Sequence, residues 1–180
     1  MRAAGCDPVV VVVPQGDIAA ARDALDDGAV LVEGGPSRRA SVYKGLAAVE
    51  NSAVLVHDAV RPVVTLDLVA RVLSALTDVD GAIAAVRVEE TIKRVDGTEV
   101  VTTVDRSGLW RAQTPQVFRT SVLKEAHRRA ADERVEGTDD AQLVERCGGR
   151  VRIVDGDTTN IKVTWPSDFA LAEALLGTRE

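Results

Sequence analysis

Aromatic side chains make up only 3% of this 180-residue chain, cysteine occurs twice, and no apolar run approaches membrane-spanning length. Scarce aromatics leave the core to Ala, Val and Leu. Hydrophobic residues still reach 46%, and short aliphatics suit a buried parallel sheet covered by helices. Cys6 and Cys147 fit no metal or redox spacing and read as inert thiols of a reducing cytoplasm. The strongest apolar run, Val9 to Val13, is too short to cross a bilayer, and the opening MRAAGCDP lacks the apolar centre of a signal peptide. The net charge of −6 offers no basic surplus for nucleic acid. These exclusions point to a cytoplasmic protein, without nucleic acid or membrane as partner. The length suits one unit over 1–180.

What remains is a regular alternation of short β-branched runs and longer helical patterns. Strands are expected at Val9–Val13, Val30–Val32, Ala53–Val56, Gly81–Val88, Val151–Val154 and Ile161–Val163. Helices are expected from Asp17 to Leu25, Arg39 to Val49, Thr65 to Leu76, Thr120 to Asp132, Thr138 or Asp139 to Gly148, and Ser167 to Gly177. This order predicts an α/β, Rossmann-like, mostly parallel sheet with helices on both faces. Asp96-Gly97 breaks the pattern as a hairpin turn, so 90–106 should form a protruding β-ribbon arm. A lone ribbon is marginal in water, which makes a second subunit its simplest support and the chain a homodimer.

Ligands of such a sheet gather beyond the carboxyl ends of its strands. Three segments there carry polar chemistry. Gly34-Gly35, leading to Ser41, reads either as a tight turn with a helix cap or as a backbone approach to a flat base. His57-Asp58-Ala59-Val60-Arg61 offers an acid beside a cation. Asp58 beside Arg61 could bind a metal, a hydroxyl or a phosphate, or the two could simply form an ion pair; His57 reads as a packed neighbour. Lys162, one of few lysines, sits inside an apparent buried strand, where an ammonium requires a carboxylate or phosphate partner. The run from Asp105 to Gln116 is polar and stiffened by Pro115.

Taken in order, GGPSRRASV (34–42), VLVHDAVRP (54–62), ETIKR (90–94), TVDRSGLWRAQTPQVF (103–118), GTDDA (137–141) and NIKVT (160–164) resemble the 2-C-methyl-D-erythritol 4-phosphate cytidylyltransferase family. The resemblance implies transfer of a cytidylyl group from CTP to a polyol phosphate, with Mg²⁺ on the triphosphate and pyrophosphate leaving. It implies catalytic roles for Lys162 and Asp58, with Asp58 also a metal candidate. Gly34, Gly35, Ser41 and Asp58 would bind nucleotide. Arg61, Thr91, Arg106, Thr114 and Lys162 would bind the sugar phosphate, with the arm of a second subunit completing that pocket. Ribitol-phosphate cytidylyltransferases share HDAVRP and TPQ, but GLWRAQTPQ (108–116) is closer to the methylerythritol enzymes. A non-catalytic remnant is the other alternative.

The family pattern opens with a strand and a glycine-rich loop that grips the CTP phosphates. No such loop occurs among these residues, and the chain starts where the family's first helix ends. Two expectations follow. Neighbouring strand edges and apolar side chains should be exposed, and this chain should turn over slowly or not at all.

Overall fold

The structure, a computed structural model, describes residues 1–25 and 28–178. After a 3-10 turn at Arg2–Ala4 come β1 (Val10–Val13), α1 (Ile18–Ala24), β2 (Val30–Glu33), α2 (Arg38–Leu46) and β3 (Ala53–Val56). Then follow α3 (Leu66–Ser74), β4 (Gly81–Arg87), the hairpin β5 (Ile92–Asp96) and β6 (Glu99–Val104), and β7 (Trp110–Arg119). The chain closes with α4 (Thr120–Asp132), α5 (Asp140–Arg146), β8 (Val151–Asp155) and α6 (Pro166–Gly177). Ser37 accepts from the Ala40 N–H, Thr65 from Leu68 and Asp139 from Gln142, whereas Asp17, the expected cap of α1, makes no side-chain cap hydrogen bond.

β1 and β2 pair in parallel, and the larger sheet has the order β3-β7-β4-β8. β7 is antiparallel to both β3 and β4, while β4 and β8 are parallel. β3, β4 and β8 therefore point one way and β7 alone runs back, giving a mixed, mostly parallel sheet. Alternation along β4 and β7 divides the core between two layers of helices. Ala82, Ala84 and Val117 meet Leu68 and Val72 of α3 on one face. Ile83 and Phe118 meet Leu123, Leu143 and Val144 of α4 and α5 on the other.

Three expectations are corrected. The polar run ending at Gln116, where no strand was expected, enters the central strand β7 at Trp110. Its proline is accommodated because the register slips: Ile83 faces Gln116 but Ala85 faces Ala112, so Gln113, Thr114 and Pro115 bulge opposite Ala84. Ile161–Val163 is not a strand but part of an extended loop. The last helix is capped at Trp165 rather than Ser167, with the Asp168 carboxylate accepting from the Thr164 and Trp165 N–H groups.

The hairpin forms as expected about Gly97, at φ 56°, and every residue of β5 is exposed. Strand edges are exposed in the middle of the fold too. β1 pairs only with β2 and β3 only with β7, so among the described residues their other edges have no strand partner. Between them lies a cavity of about 600 Å³.

Candidate active site

The cavity's polar end is built where β2 and β3 stop. β2 runs into Gly34-Gly35, which turns the chain into α2. A Cβ at Gly35 would lie 2.5 Å from the Ala40 Cβ, and one at Gly34 would lie 2.8 Å from Ser41 Oγ. Both positions therefore need glycine to let the turn close on the helix. The Gly35 N–H donates to Ser41 Oγ at 3.1 Å, and Lys44 Nζ donates to the Gly34 carbonyl at 2.9 Å. The turn-and-cap reading is thereby met in full.

β3 delivers Asp58. Arg38, from the first turn of α2, approaches Asp58 Oδ1 at 3.2 Å, and Lys162 Nζ donates to Oδ2 at 3.1 Å. Burial pushes the Asp58 carboxyl up, but the charge of Arg38 and the hydrogen bond from Lys162 outweigh it and hold the group below the ordinary carboxylate range. Arg38 also contacts Asp140 at 2.9 Å, an ion pair without the alignment of a hydrogen bond. Asp140 is fully buried and bonds His127 Nε2 at 2.8 Å. A line of charges thus runs from the α4–α5 interface through Arg38 and Asp58 to Lys162.

The bulge of β7 and the loop after β8 complete the site. The Asp58 N–H donates to Thr114 Oγ1 at 2.9 Å, and Thr114 Oγ1 lies 3.1 Å from His57 Nδ1. His57 Nε2 lies 3.1 Å from the Arg61 carbonyl, which can only accept, so Nε2 carries the proton and the Thr114 hydroxyl donates to Nδ1. Burial lowers the His57 pKa, in keeping with this neutral ring. The imidazole orients Thr114 and Arg61 and is a packed neighbour, as expected. Asn160, with no exposed surface, donates through Nδ2 to the Thr114 carbonyl at 2.8 Å. Its own carbonyl accepts from Arg61 at 2.7 Å and from Gln113 at 3.3 Å. Gly156 permits this docking, because a Cβ there would meet Gln113 Oε1 at 2.4 Å.

The structure thus brings Asp58, Lys162, Arg61 and Thr114 together, with Gly34 and Gly35 beside them in the turn before α2 and Ser41 on that helix. Lys162 needs correction in one respect. It is not a buried strand residue: its side chain is 47% exposed on the loop, although it has the carboxylate partner that burial was thought to demand. Thr91 and Arg106 stand apart at the base of the exposed hairpin, and neither side chain hydrogen-bonds to the Asp58 cluster. Sequence reasoning missed Arg38, Asp140, His127, Gln113 and Asn160 as site-building residues. The signals were present as Arg38 in the glycine turn, the acidic pair of GTDDA, and an Asn next to Lys162's loop.

Among the described residues no three His, Cys, Asp or Glu side chains cluster as a metal cage. Among the described residues, Asp58 is the carboxylate paired with both Arg38 and Lys162. Such a geometry suits a hard cation carried mainly by phosphate oxygens, with a single protein carboxylate as ligand.

The family model described as IspD, 2-C-methyl-D-erythritol 4-phosphate cytidylyltransferase, matches residues 1–178. The 2-C-methyl-D-erythritol 4-phosphate cytidylyltransferase of Geobacillus kaustophilus is 46% identical over 160 residues, covering 88% of this chain and 70% of that protein. The enzyme of the same name from Geobacillus thermodenitrificans is 49% identical over 148 residues, covering 82% of this chain and 65% of its own length. This chain therefore spans about two thirds of these relatives. The crystal structure of the Thermus thermophilus 2-C-methyl-D-erythritol 4-phosphate cytidylyltransferase superposes with a TM-score of 0.86 at 40% identity, covering 97% of this chain and 85% of that one.

Proposed function

Because the chain belongs to the IspD family of 2-C-methyl-D-erythritol 4-phosphate cytidylyltransferases, we propose that it transfers a cytidylyl group from CTP to 2-C-methyl-D-erythritol 4-phosphate and releases pyrophosphate, in non-mevalonate isoprenoid precursor synthesis. The observation that carries this reading is the pairing of Arg38 and of Lys162, from the loop after β8, with Asp58 just beyond β3, with the charge of Arg61 nearby.

In such a transfer a phosphate oxygen of the sugar attacks the α-phosphorus of CTP. Little covalent work falls to protein groups; placement and charge neutralisation dominate. Lys162 is the half-exposed cation free to swing from Asp58 onto the reacting phosphate. Arg38 and Arg61 hold the surrounding field. Asp58 keeps both cations in place before ligand arrives and offers an oxygen to Mg²⁺, which when bound neutralises phosphate charge. Thr114, fixed by His57 and the Asp58 N–H, lines the sugar-phosphate side. Gly34, Gly35 and Ser41 lie where the cytosine would be read.

The arm supports a homodimer. Val95, Val100 and Val101 on it are 56–62% exposed, more apolar surface than a solvent-facing ribbon needs. A second copy's arm would carry Thr91 and Arg106 to the phosphate pocket that this copy leaves open. The cytoplasm is the compartment this substrate chemistry fits; no described helix is long and apolar enough to cross a membrane.

The test is an assay of this chain with CTP, Mg²⁺ and 2-C-methyl-D-erythritol 4-phosphate, with ribitol 5-phosphate in parallel, reading the cytidine diphosphate-linked product by mass spectrometry. Slow formation of the methylerythritol product, lowered more than tenfold by Lys162→Ala, is expected. Faster conversion of ribitol phosphate overturns the substrate assignment, and a rate unaffected by Lys162→Ala overturns the site.

A further inference from the structure

We propose that Gln113 is a positioning residue, whose side-chain amide sets the places of two site cations, Lys162 and Arg61, by holding the turn 157–160 closed around itself. Where the cations are held follows from the geometry. What they then act on rests on the cytidylyl-transfer reading.

Lys162 reaches Asp58 from a loop that crosses from β8 to the end of β3. At the start of that loop the Gly156 N–H donates to the Ala85 carbonyl of β4 at 2.7 Å. Just after Lys162 the Val163 N–H donates to the Val60 carbonyl at 2.8 Å. Between these fixed points the loop meets the bulge of β7. A bulge re-aims a side chain out of the ladder, and Gln113 is one of the residues that bulge opposite Ala84. Its Nε2 donates to the Asp157 carbonyl at 2.9 Å and to the Asn160 carbonyl at 3.3 Å. Its Oε1 accepts from the Asp157 N–H at 3.2 Å. The turn is closed by the Asn160 N–H on the Asp157 carbonyl at 3.0 Å. One amide therefore pairs with both backbone groups of the turn's first residue and with the carbonyl of its last, as a neighbouring strand would.

Only an amide of this length meets all three groups. Two carbonyls face Nε2 and one N–H faces Oε1; glutamate has no donor to offer, and methionine has no N–H or oxygen. Gln113 is 7% exposed, so water does not readily replace the lost bonds. The cations depend on the same turn. Arg61 Nη1 donates to the Asn160 carbonyl at 2.7 Å, while Arg61 Nε is buried without a hydrogen-bond partner. The carbonyl that orients this guanidinium is thus one that Gln113 also holds. Lys162 follows two residues later, with Nζ 3.1 Å from Asp58 Oδ2. The Asn160 side chain ties only the last residue of the turn to Thr114, whereas Gln113 ties the first and the last together. A misplacement of about 1 Å at a group that serves a reacting phosphate can cost on the order of 100-fold in rate.

The experiment compares the whole chain with its Gln113→Glu and Gln113→Met variants, the first keeping shape and acceptor, the second only length. The sequence has four lysines, so carbon-13-labelled lysine resolves the Lys162 Hε pair by two-dimensional NMR, with Lys162→Ala as the assignment. An ammonium held on Asp58 gives two separate Hε shifts, which Asp58→Asn should merge. Both Gln113 variants should merge them as well, with Lys93 and Lys124 unchanged. Initial rates give the second readout. Each variant should lower kcat by about tenfold or more, but by less than about twofold when Lys162 is already alanine. The part carried by Arg61 should appear as a raised KM for the sugar phosphate in both backgrounds. Hε shifts that stay separate in either variant, or that are already merged in wild type, overturn the proposal. So does a fall in kcat of equal size with and without Lys162, the mark of a merely structural residue. Wild-type turnover that is absent, or unaffected by Lys162→Ala, counts instead against the transfer reading, and the Hε shifts then decide the positioning.

Discussion

Asn160→Ala isolates the link that holds the Lys162 loop against the β7 bulge. The side chain has no exposed surface, and its Nδ2 supplies a hydrogen bond to the Thr114 carbonyl at 2.8 Å. Alanine keeps every bond made by the residue's backbone, including those from Arg61 and Gln113. It removes the donor to Thr114 and leaves a buried carbonyl unpaired, at a cost of ~1–3 kcal/mol. Asn160 Oδ1 has no protein partner, so its removal adds nothing to that cost. The lower half of the range, ~1–2 kcal/mol, is therefore expected. For a chain of this size each kcal/mol lowers Tm by ~2–4 °C, giving a fall of ~2–8 °C by scanning calorimetry. Hydrogen exchange should quicken at Val163, whose N–H donates to the Val60 carbonyl at 2.8 Å, because the loop between it and the bulge is released. A Tm within ~1 °C of wild type, with unchanged exchange at Val163, would refute the tether.

Lys162→Ala should lower turnover more than tenfold, the ~1.4 kcal/mol scale of one charge contact at the reacting phosphate, read from initial rates. Arg106→Ala should raise KM for the sugar phosphate while kcat stays close to wild type, and an unchanged KM argues against its carriage to the pocket by a second copy. Val100→Asp on the arm should shift the sedimentation of the chain from dimer to monomer; a dimer that persists assigns assembly to another surface. Asp58 titrates below its ordinary value of 3.8 in the folded chain, so its ion pairs stabilise above that value and are lost as pH falls through the folded-state pKa. Denaturant titrations from about pH 5 down to about pH 3 should therefore show a steeper loss of stability for wild type than for Asp58→Asn, and parallel curves would contradict the pairing.

Residues close in sequence decided most of the elements. β-branched runs at Val10–Val13 and Ala53–Val56, caps at Ser37, Thr65 and Asp139, and the Asp96-Gly97 turn express local torsional preferences and hydrogen bonds, which the order of residues determines by itself. The ordered polar segments likewise determined the family, and with it the chemistry to be sought. Tertiary structure alone decided the rest. Pro115 hides β7 from any local reading, because its place in a central strand depends on a register slip against β4. Lys162 looks buried beside Ile161 and Val163, yet Asn160 ties its loop to the bulge of β7 and its ammonium finds Asp58 across 104 positions of chain. The same holds for the pairing of Arg38 with Asp140 and for the open edges of β1 and β3. Each is a balance of burial, charge and backbone pairing among segments distant in sequence, and such a balance exists only once the chain has closed upon itself.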